Sequence, residues 1–111
     1  MPPDLPRWPY PDRPTAGSFE GAEHGSEICF FVVDGKTGWG PRLHTHPYSE
    51  TFIVLGGRGR FRLGDDWVEA GAGDVVVAPA EVPHTFEALE PLRMVNVHAA
   101  PRMQTTWLED Q

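Results

Sequence analysis

The chain has one cysteine, Cys29, so no internal disulfide is available and stability rests on packing. A lone thiol fits a reducing compartment, and the cytoplasm is the expected location. Basic residues are also scarce: nine Lys and Arg stand against sixteen Asp and Glu, a formal net charge of −7. That balance argues against nucleic acid as a partner, because phosphate recognition needs clustered cations. No apolar run approaches the roughly 18 residues of a membrane span, and the first residues lack a signal peptide's apolar stretch, so no membrane partner is expected. Helical periodicity, internal repeats and low-complexity tracts are missing from residue 18 onward.

Turn formers and aromatics are what the chain does have. Twelve Gly and twelve Pro in 111 residues favour short strands joined by tight turns. Six Phe, four Trp and two Tyr supply enough apolar surface for one independently folding domain. Six prolines (Pro2, Pro3, Pro6, Pro9, Pro11, Pro14) fall within residues 1–17, around Trp8 and Tyr10. Proline cannot donate to a β-ladder, so residues 1–17 read as an extended arm and 18–111 as the folded body. Burying a large apolar side chain is worth about 1.5–3 kcal/mol, so Leu5, Trp8, Tyr10 and Phe19 give the arm reason to dock on the body or on a neighbouring subunit.

The body reads as a series of strands. EICFFVVD (27–34) ends in the turn signal Asp34-Gly35, and TFIVL runs from Thr51 into Gly56-Gly57. GRFRL (59–63) and WVEA (67–70) flank Gly64-Asp65-Asp66 as a hairpin with visible alternation. DVVVA (74–78) has the continuous apolar character of a strand buried on both faces. TFEAL (85–89), LRMVNVHAA (92–100) and MQTTWL (103–108) complete the set. Many short strands at this spacing predict an all-β antiparallel sandwich or barrel.

The segment GWGPRLHTHPYSETFIVLGG (38–57) carries the chemistry. Side chains alternate faces along an extended chain, so His44, His46 and Glu50 share one parity. GDVVVAPAEVPHTF (73–86) adds His84 after a Pro-flanked turn. Imidazoles and a carboxylate on one spot are good ligands for a borderline divalent cation, and Zn, Fe, Mn, Ni and Cu all suit the set. Three nitrogens and one oxygen leave two positions of a six-coordinate ion open to water or substrate.

These segments resemble the cupin superfamily. Gly38, His44-x-His46, Glu50 and Gly57 match the spacing of its first motif, and Gly73, Pro79 and His84 resemble its second; Glu81 stands where the family usually has glycine, and Ala88 where it often has asparagine. The resemblance covers 38–88, about half the chain. It implies a single-domain, cupin-type antiparallel jelly-roll β-barrel with one divalent metal ion held inside by His44, His46, Glu50 and His84. The family includes dioxygenases, oxidases, isomerases, lyases and non-enzymatic binding proteins, so it implies no single reaction.

Parity extends the reading to the surroundings. Phe52 and Val54 continue the Glu50 face, and Phe86 and Ala88 the His84 face, predicting a mostly apolar pocket lining. His98 and Tyr48 are candidate catalytic acid/base groups, with a structural role the alternative for each. Arg60 and Arg62 alternate with Phe61 and Leu63, which puts the arginines in solvent. Trp39 and Arg42 are candidates for the rim, Cys29 reads as a small buried hydrophobe, and His24 as solvent-exposed. The leading expectation is a metal-dependent, dioxygenase-type oxidoreductase acting on a small molecule. A non-redox isomerase, cyclase or lyase and a non-catalytic metal- or ligand-binding protein are the alternatives. A homodimer is expected, since a second copy would cover an open sheet edge.

Overall fold

In the computed structural model, residues 17–108 are described. They form ten strands: β1 Gly17–Glu20, β2 Cys29–Gly35, β3 His44–Thr45, β4 Glu50–Gly56, β5 Arg58–Leu63, β6 Asp66–Gly71, β7 Val75–Ala78, β8 His84–Ala88, β9 Leu92–His98 and β10 Thr106–Trp107. One 3-10 turn, Gly21–Glu23, follows β1, and no described helix is long and apolar enough to cross a membrane. One sheet has the order β1-β2-β9-β4-β7 and the other β10-β3-β8-β5-β6, with antiparallel pairing throughout. The expected antiparallel jelly roll is present as two facing sheets, and no hydrogen-bonded ladder closes the seam between them among the described residues. Of the expected arm, all but Gly17 lies outside the described residues. Gly17 itself opens β1, where Phe19 stacks on Phe30 with ring centroids 5.0 Å apart.

Alternation sorts each central strand into an inner and an outer row. On β4 the inner row is Glu50, Phe52, Val54; on β8 it is His84, Phe86, Ala88; on β9 it is His98, Asn96, Met94, Leu92. Register aligns these rows so that Glu50 faces His98, Phe52 faces Asn96 and Val54 faces Met94. Polar residues therefore gather at one end of the interior and apolar ones at the other. The apolar end holds Phe52, Val54, Phe61, Ala70, Val76, Ala78, Phe86, Ala88, Leu92 and Met94, all buried. Truncating a buried phenylalanine in such a cluster typically costs about 3–5 kcal/mol, so this end anchors the polar one.

Two local readings need correction. The segment 74–78 is not buried on both faces: β7 is an edge strand, Val76 and Ala78 point inward, and Val75 and Val77 are 59% and 49% exposed. Its continuous apolar run reflects an outer face that is itself apolar. The strand expected over 103–108 shrinks to Thr106–Trp107. Arg60 and Arg62 do face outward: Arg60 pairs with Glu87 at 3.1 Å and lies over the Trp67 ring, and Arg62 donates to the Gly64 carbonyl. Cys29 is fully buried and His24 exposed.

Two turn positions hold the frame in shape. Gly57 has φ +78°, and a Cβ there would run into the Pro91 carbonyl. Glu81, where the resembled family usually has glycine, adopts φ 67° and donates its N–H to the His46 carbonyl at 2.8 Å. A non-glycine residue in this left-handed region costs about 1–2 kcal/mol, which the hydrogen bond helps to offset.

Candidate metal centre

The four expected ligands do not lie along one strand. His44 is on β3, and His46 follows it on the same side; Glu50 opens β4 in the opposite sheet. Pro47, Tyr48 and Ser49 carry the chain across between the sheets, so shared parity is not what joins these residues. They meet because the two sheets face each other. His84 opens β8 directly opposite His44. One donor atom from each of His44, His46, Glu50 and His84 lies within 4.8 Å of the others, and all four residues are buried.

Backbone carbonyls fix the tautomer of three rings. His44 Nδ1 donates to Arg42 O at 2.7 Å, His46 Nδ1 to Gln104 O at 2.8 Å and His84 Nδ1 to Val82 O at 2.9 Å. A carbonyl only accepts, so each Nδ1 carries a proton, and a ring in its neutral form turns the Nε2 lone pair inward. His46 Nε2 and His84 Nε2 both stand 3.0 Å from the same oxygen, Glu50 Oε1. The His84 contact has hydrogen-bond geometry, and at either nitrogen a proton or a cation must lie between it and the carboxylate oxygen. His46 Nε2 is buried, and although near Glu50 it has no hydrogen-bond partner with acceptable geometry. Three convergent imidazole nitrogens, one of them orphaned, and a carboxylate fit a borderline divalent cation.

The electrostatics point the same way. Burial drives His44 down to about 4, against partial support from the Arg42 carbonyl, so its ring is neutral near pH 7. Burial also opposes charge on His46, but Glu50 and the Gln104 carbonyl outweigh it and raise its pKa. Burial alone would raise the Glu50 pKa; contacts with His46, His84 and His98 overcome it and hold the carboxyl well below the usual range. Glu50 is therefore an anion in an enclosed place, which is costly without a cation beside it.

His98 and Tyr48 form a second arrangement on the other Glu50 oxygen. His98 Nε2 lies 3.2 Å from Glu50 Oε2, and its Nδ1 is 2.7 Å from the Tyr48 hydroxyl. That hydroxyl accepts the Gln104 N–H at 3.1 Å. It then donates to His98 Nδ1, which leaves the His98 proton on Nε2, facing the carboxylate. Burial raises the Tyr48 pKa, so its hydroxyl keeps its proton.

The cluster opens onto a cavity of about 250 Å³. Its wall is mostly apolar, from Phe31, Val33, Pro41, Phe86 and the half-exposed Trp39 and Trp107. The lining departs from the sequence expectation: Phe86 contributes, whereas Phe52, Val54 and Ala88 lie deeper, in the packed core. Those three share the right face but belong to layers filled by Phe61, Leu92 and Met94. Phe31 and Val33 share one parity on β2, a signal that existed in the sequence without showing which face was inside. Trp107, its ring tilted against His44 with centroids 5.0 Å apart, and the Gln104 carbonyl come from some 60 residues downstream and left no local trace. Arg42 caps the outside of Trp107 at 5.4 Å. Asn96, 4% exposed, also lines the cavity, and its Oδ1 has no hydrogen-bond partner. An unsatisfied buried oxygen costs about 1–3 kcal/mol.

Comparison with known proteins agrees with the fold. A family profile described as Cupin domain matches residues 36–98. A conserved protein of unknown function from Streptococcus pyogenes superposes with TM-score 0.65 at 22% identity, covering 70% of this chain and 68% of its own. An uncharacterized conserved protein with a double-stranded beta-helix domain from Klebsiella pneumoniae gives 0.69 at 23%, covering 76% and 72%. Oxalate decarboxylase from Bacillus subtilis gives 0.77 at 22%, covering 84% of this chain but 27% of that one. At these identities the likeness is one of fold. No curated protein matches the chain.

A divalent ion at this cluster competes with protons for the Nε2 lone pairs. Because the His46 pKa is raised, its competition begins above the ordinary value of 6.5, whereas His44 stays unprotonated down to about 4. Apparent affinity should therefore fall steadily as pH drops from about 8 to about 5, with the loss already under way above pH 6.5. Titration against a chromogenic chelator across that range measures it; a flat profile would contradict the ligand assignment.

Proposed function

The chain belongs to the cupin family, and from that premise we propose that it is a divalent-metal-dependent enzyme acting on a small organic molecule, with dioxygenase-type oxidoreductase chemistry as the first reading. The reading is carried by one observation: three imidazoles and one carboxylate converge on the wall of an apolar cavity. His44, His46, Glu50 and His84 would hold the ion. Bound there, a divalent ion supplies Lewis acidity and, where redox-active, an electron path to O2.

The chain's own residues do the rest. Trp39, Trp107, Phe31 and Phe86 exclude water and select a small, largely apolar ligand, since about 250 Å³ is below the usual 300–1,000 Å³ of drug-sized sites. Low polarity around the cluster strengthens each charge interaction within it. Glu50 contributes the single negative charge among the four ligands. His98 lines the cavity and offers a proton at Nε2, and Tyr48 acts through it by orienting the ring at Nδ1.

That pair favours a second reading, a non-redox isomerase, cyclase or lyase in which His98 moves a proton. Metal-loaded protein incubated with small enols, diketones and hydroxy acids, with and without O2, separates the two. Consumption that requires O2 supports the first and consumption without O2 the second. His98→Asn should lower turnover by about 10²–10⁴-fold with metal content unchanged. Tyr48→Phe should lower it less and shift the pH profile. Metal-loaded protein that consumes nothing across the panel would point to a binding protein.

A homodimer is part of the same proposal. The outer face of the first sheet sets Ile53 between Val75 and Val95, and Ile53, Leu55, Val75 and Val77 are 36%, 49%, 59% and 49% exposed. Monomers seldom leave such a contiguous apolar face in water, and an isologous pairing covers it together with the β7 edge. Light scattering should report twice the 12.3 kDa chain mass at micromolar concentration; a species of 12.3 kDa would contradict the dimer.

A further inference from the structure

The segment 103–108 has little packing of its own to hold it down. Gln104, Thr105, Thr106 and Trp107 are all exposed, and its ordered part, β10, is two residues long at the edge of the second sheet. Two register pairs with β3, and the Leu108 N–H on the Leu43 carbonyl at 3.1 Å, make up its ladder. The Met103 N–H adds a bond to Glu20 Oε2 at 3.2 Å. Segments with few buried apolar contacts and exposed hydrogen bonds open far more readily than the core.

Its remaining contacts go to the His/Glu cluster and the pair behind it. The Gln104 carbonyl accepts the His46 Nδ1–H at 2.8 Å, and the Thr105 hydroxyl lies 3.4 Å from the same nitrogen. The Gln104 N–H donates to the Tyr48 hydroxyl, which bonds His98, whose Nε2 stands 3.2 Å from Glu50. Trp107 pairs with His44 in register, its ring tilted against that imidazole, and Arg42 lies over the same indole. One short, exposed segment thus touches two of the four expected ligands and reaches a third through Tyr48 and His98.

We propose that 103–108 is a positioning strap whose docking is coupled to cation binding: the strap orients His46 and covers His44, and a bound cation holds the strap closed. The proposal rests on the metal-site reading. A ligand imidazole keeps its orientation through the hydrogen bond at its other nitrogen, and loss of that partner typically lowers metal affinity about 10–100-fold. When the strap lifts, His46 loses its partner. His44 and His84 keep theirs, because the Arg42 and Val82 carbonyls lie outside the strap. Coupling is reciprocal, so the factor the strap contributes to affinity returns as protection of the strap against opening.

Zinc ion is the probe. Its affinity for the full chain is measured by competition with a chromogenic chelator, and amide hydrogen exchange is followed by NMR with and without saturating zinc. Zinc should slow exchange of the Gln104 and Leu108 amides about tenfold, while the Gly73 amide, hydrogen-bonded to Val54 in the turn before β7, keeps its rate. Trp107→Ala should weaken zinc binding about tenfold, and Trp107→Phe should restore most of it. Trp67→Ala removes a matched half-exposed indole under Arg60 on β6 and should leave zinc affinity unchanged. Full affinity in folded Trp107→Ala overturns the proposal, as does an equal loss in Trp67→Ala. If Trp107→Ala does not fold, the wild-type exchange decides: slowing confined to the strap amides supports the proposal, and no slowing overturns it. Wild type that binds no zinc overturns this proposal and the metal-site reading together. Wild type that binds zinc while the strap amides stay indifferent overturns this proposal alone.

Discussion

Three imidazoles and a carboxylate, all groups that bind protons or cations, are held together in this molecule. His46 and His84 present Nε2 lone pairs 3.0 Å from one oxygen of Glu50, and His44 closes in from the facing position on β3. Left to themselves, these groups would take up protons or turn away. Their Nδ1 atoms are tied to backbone carbonyls of Arg42, Gln104 and Val82, so the rings cannot turn. A proton or a divalent cation between these nitrogens and the carboxylate makes the contacts favourable, and rings fixed this way suit a cation.

The frame bears that cost with apolar packing at the opposite end of the sandwich. Inner rows on β4, β8 and β9 each have a site residue at one end and core residues along the rest, so the side chains that stabilise the sheets also fix the strands presenting Glu50, His84 and His98. The turn before β8 adds a tie: the Glu81 N–H bonds to the His46 carbonyl and couples the two ligand-bearing segments. The cluster opens onto the cavity, whose wall includes His44, His46, Glu50 and His98.

Much of this was legible in the sequence for identifiable reasons. That His44, His46, Glu50 and His84 come together was readable because their types and spacing suit a single cluster. Strand positions were readable because alternation is a local property. The route by which the ligands meet was not, because Pro47 to Ser49 carry the chain from one sheet to the other and parity does not survive such a crossing. Phe52 and Val54 were assigned the right face but the wrong depth, since depth depends on which residues fill the opposing layer. The outward exposure of Val75 and Val77 depends on β7 being an edge, a fact of sheet order and not of composition. The Tyr48–His98–Glu50 connection spans about 50 residues and becomes visible only once β9 is paired with β4.

The central claim is that His44, His46, Glu50 and His84 make one metal site. Elemental analysis of the purified protein beside its His84→Ala variant tests it most directly. The account predicts about one equivalent of a divalent transition metal in the wild type and its loss in the variant, with both proteins folded by circular dichroism. Metal retained at full stoichiometry in folded His84→Ala would contradict it.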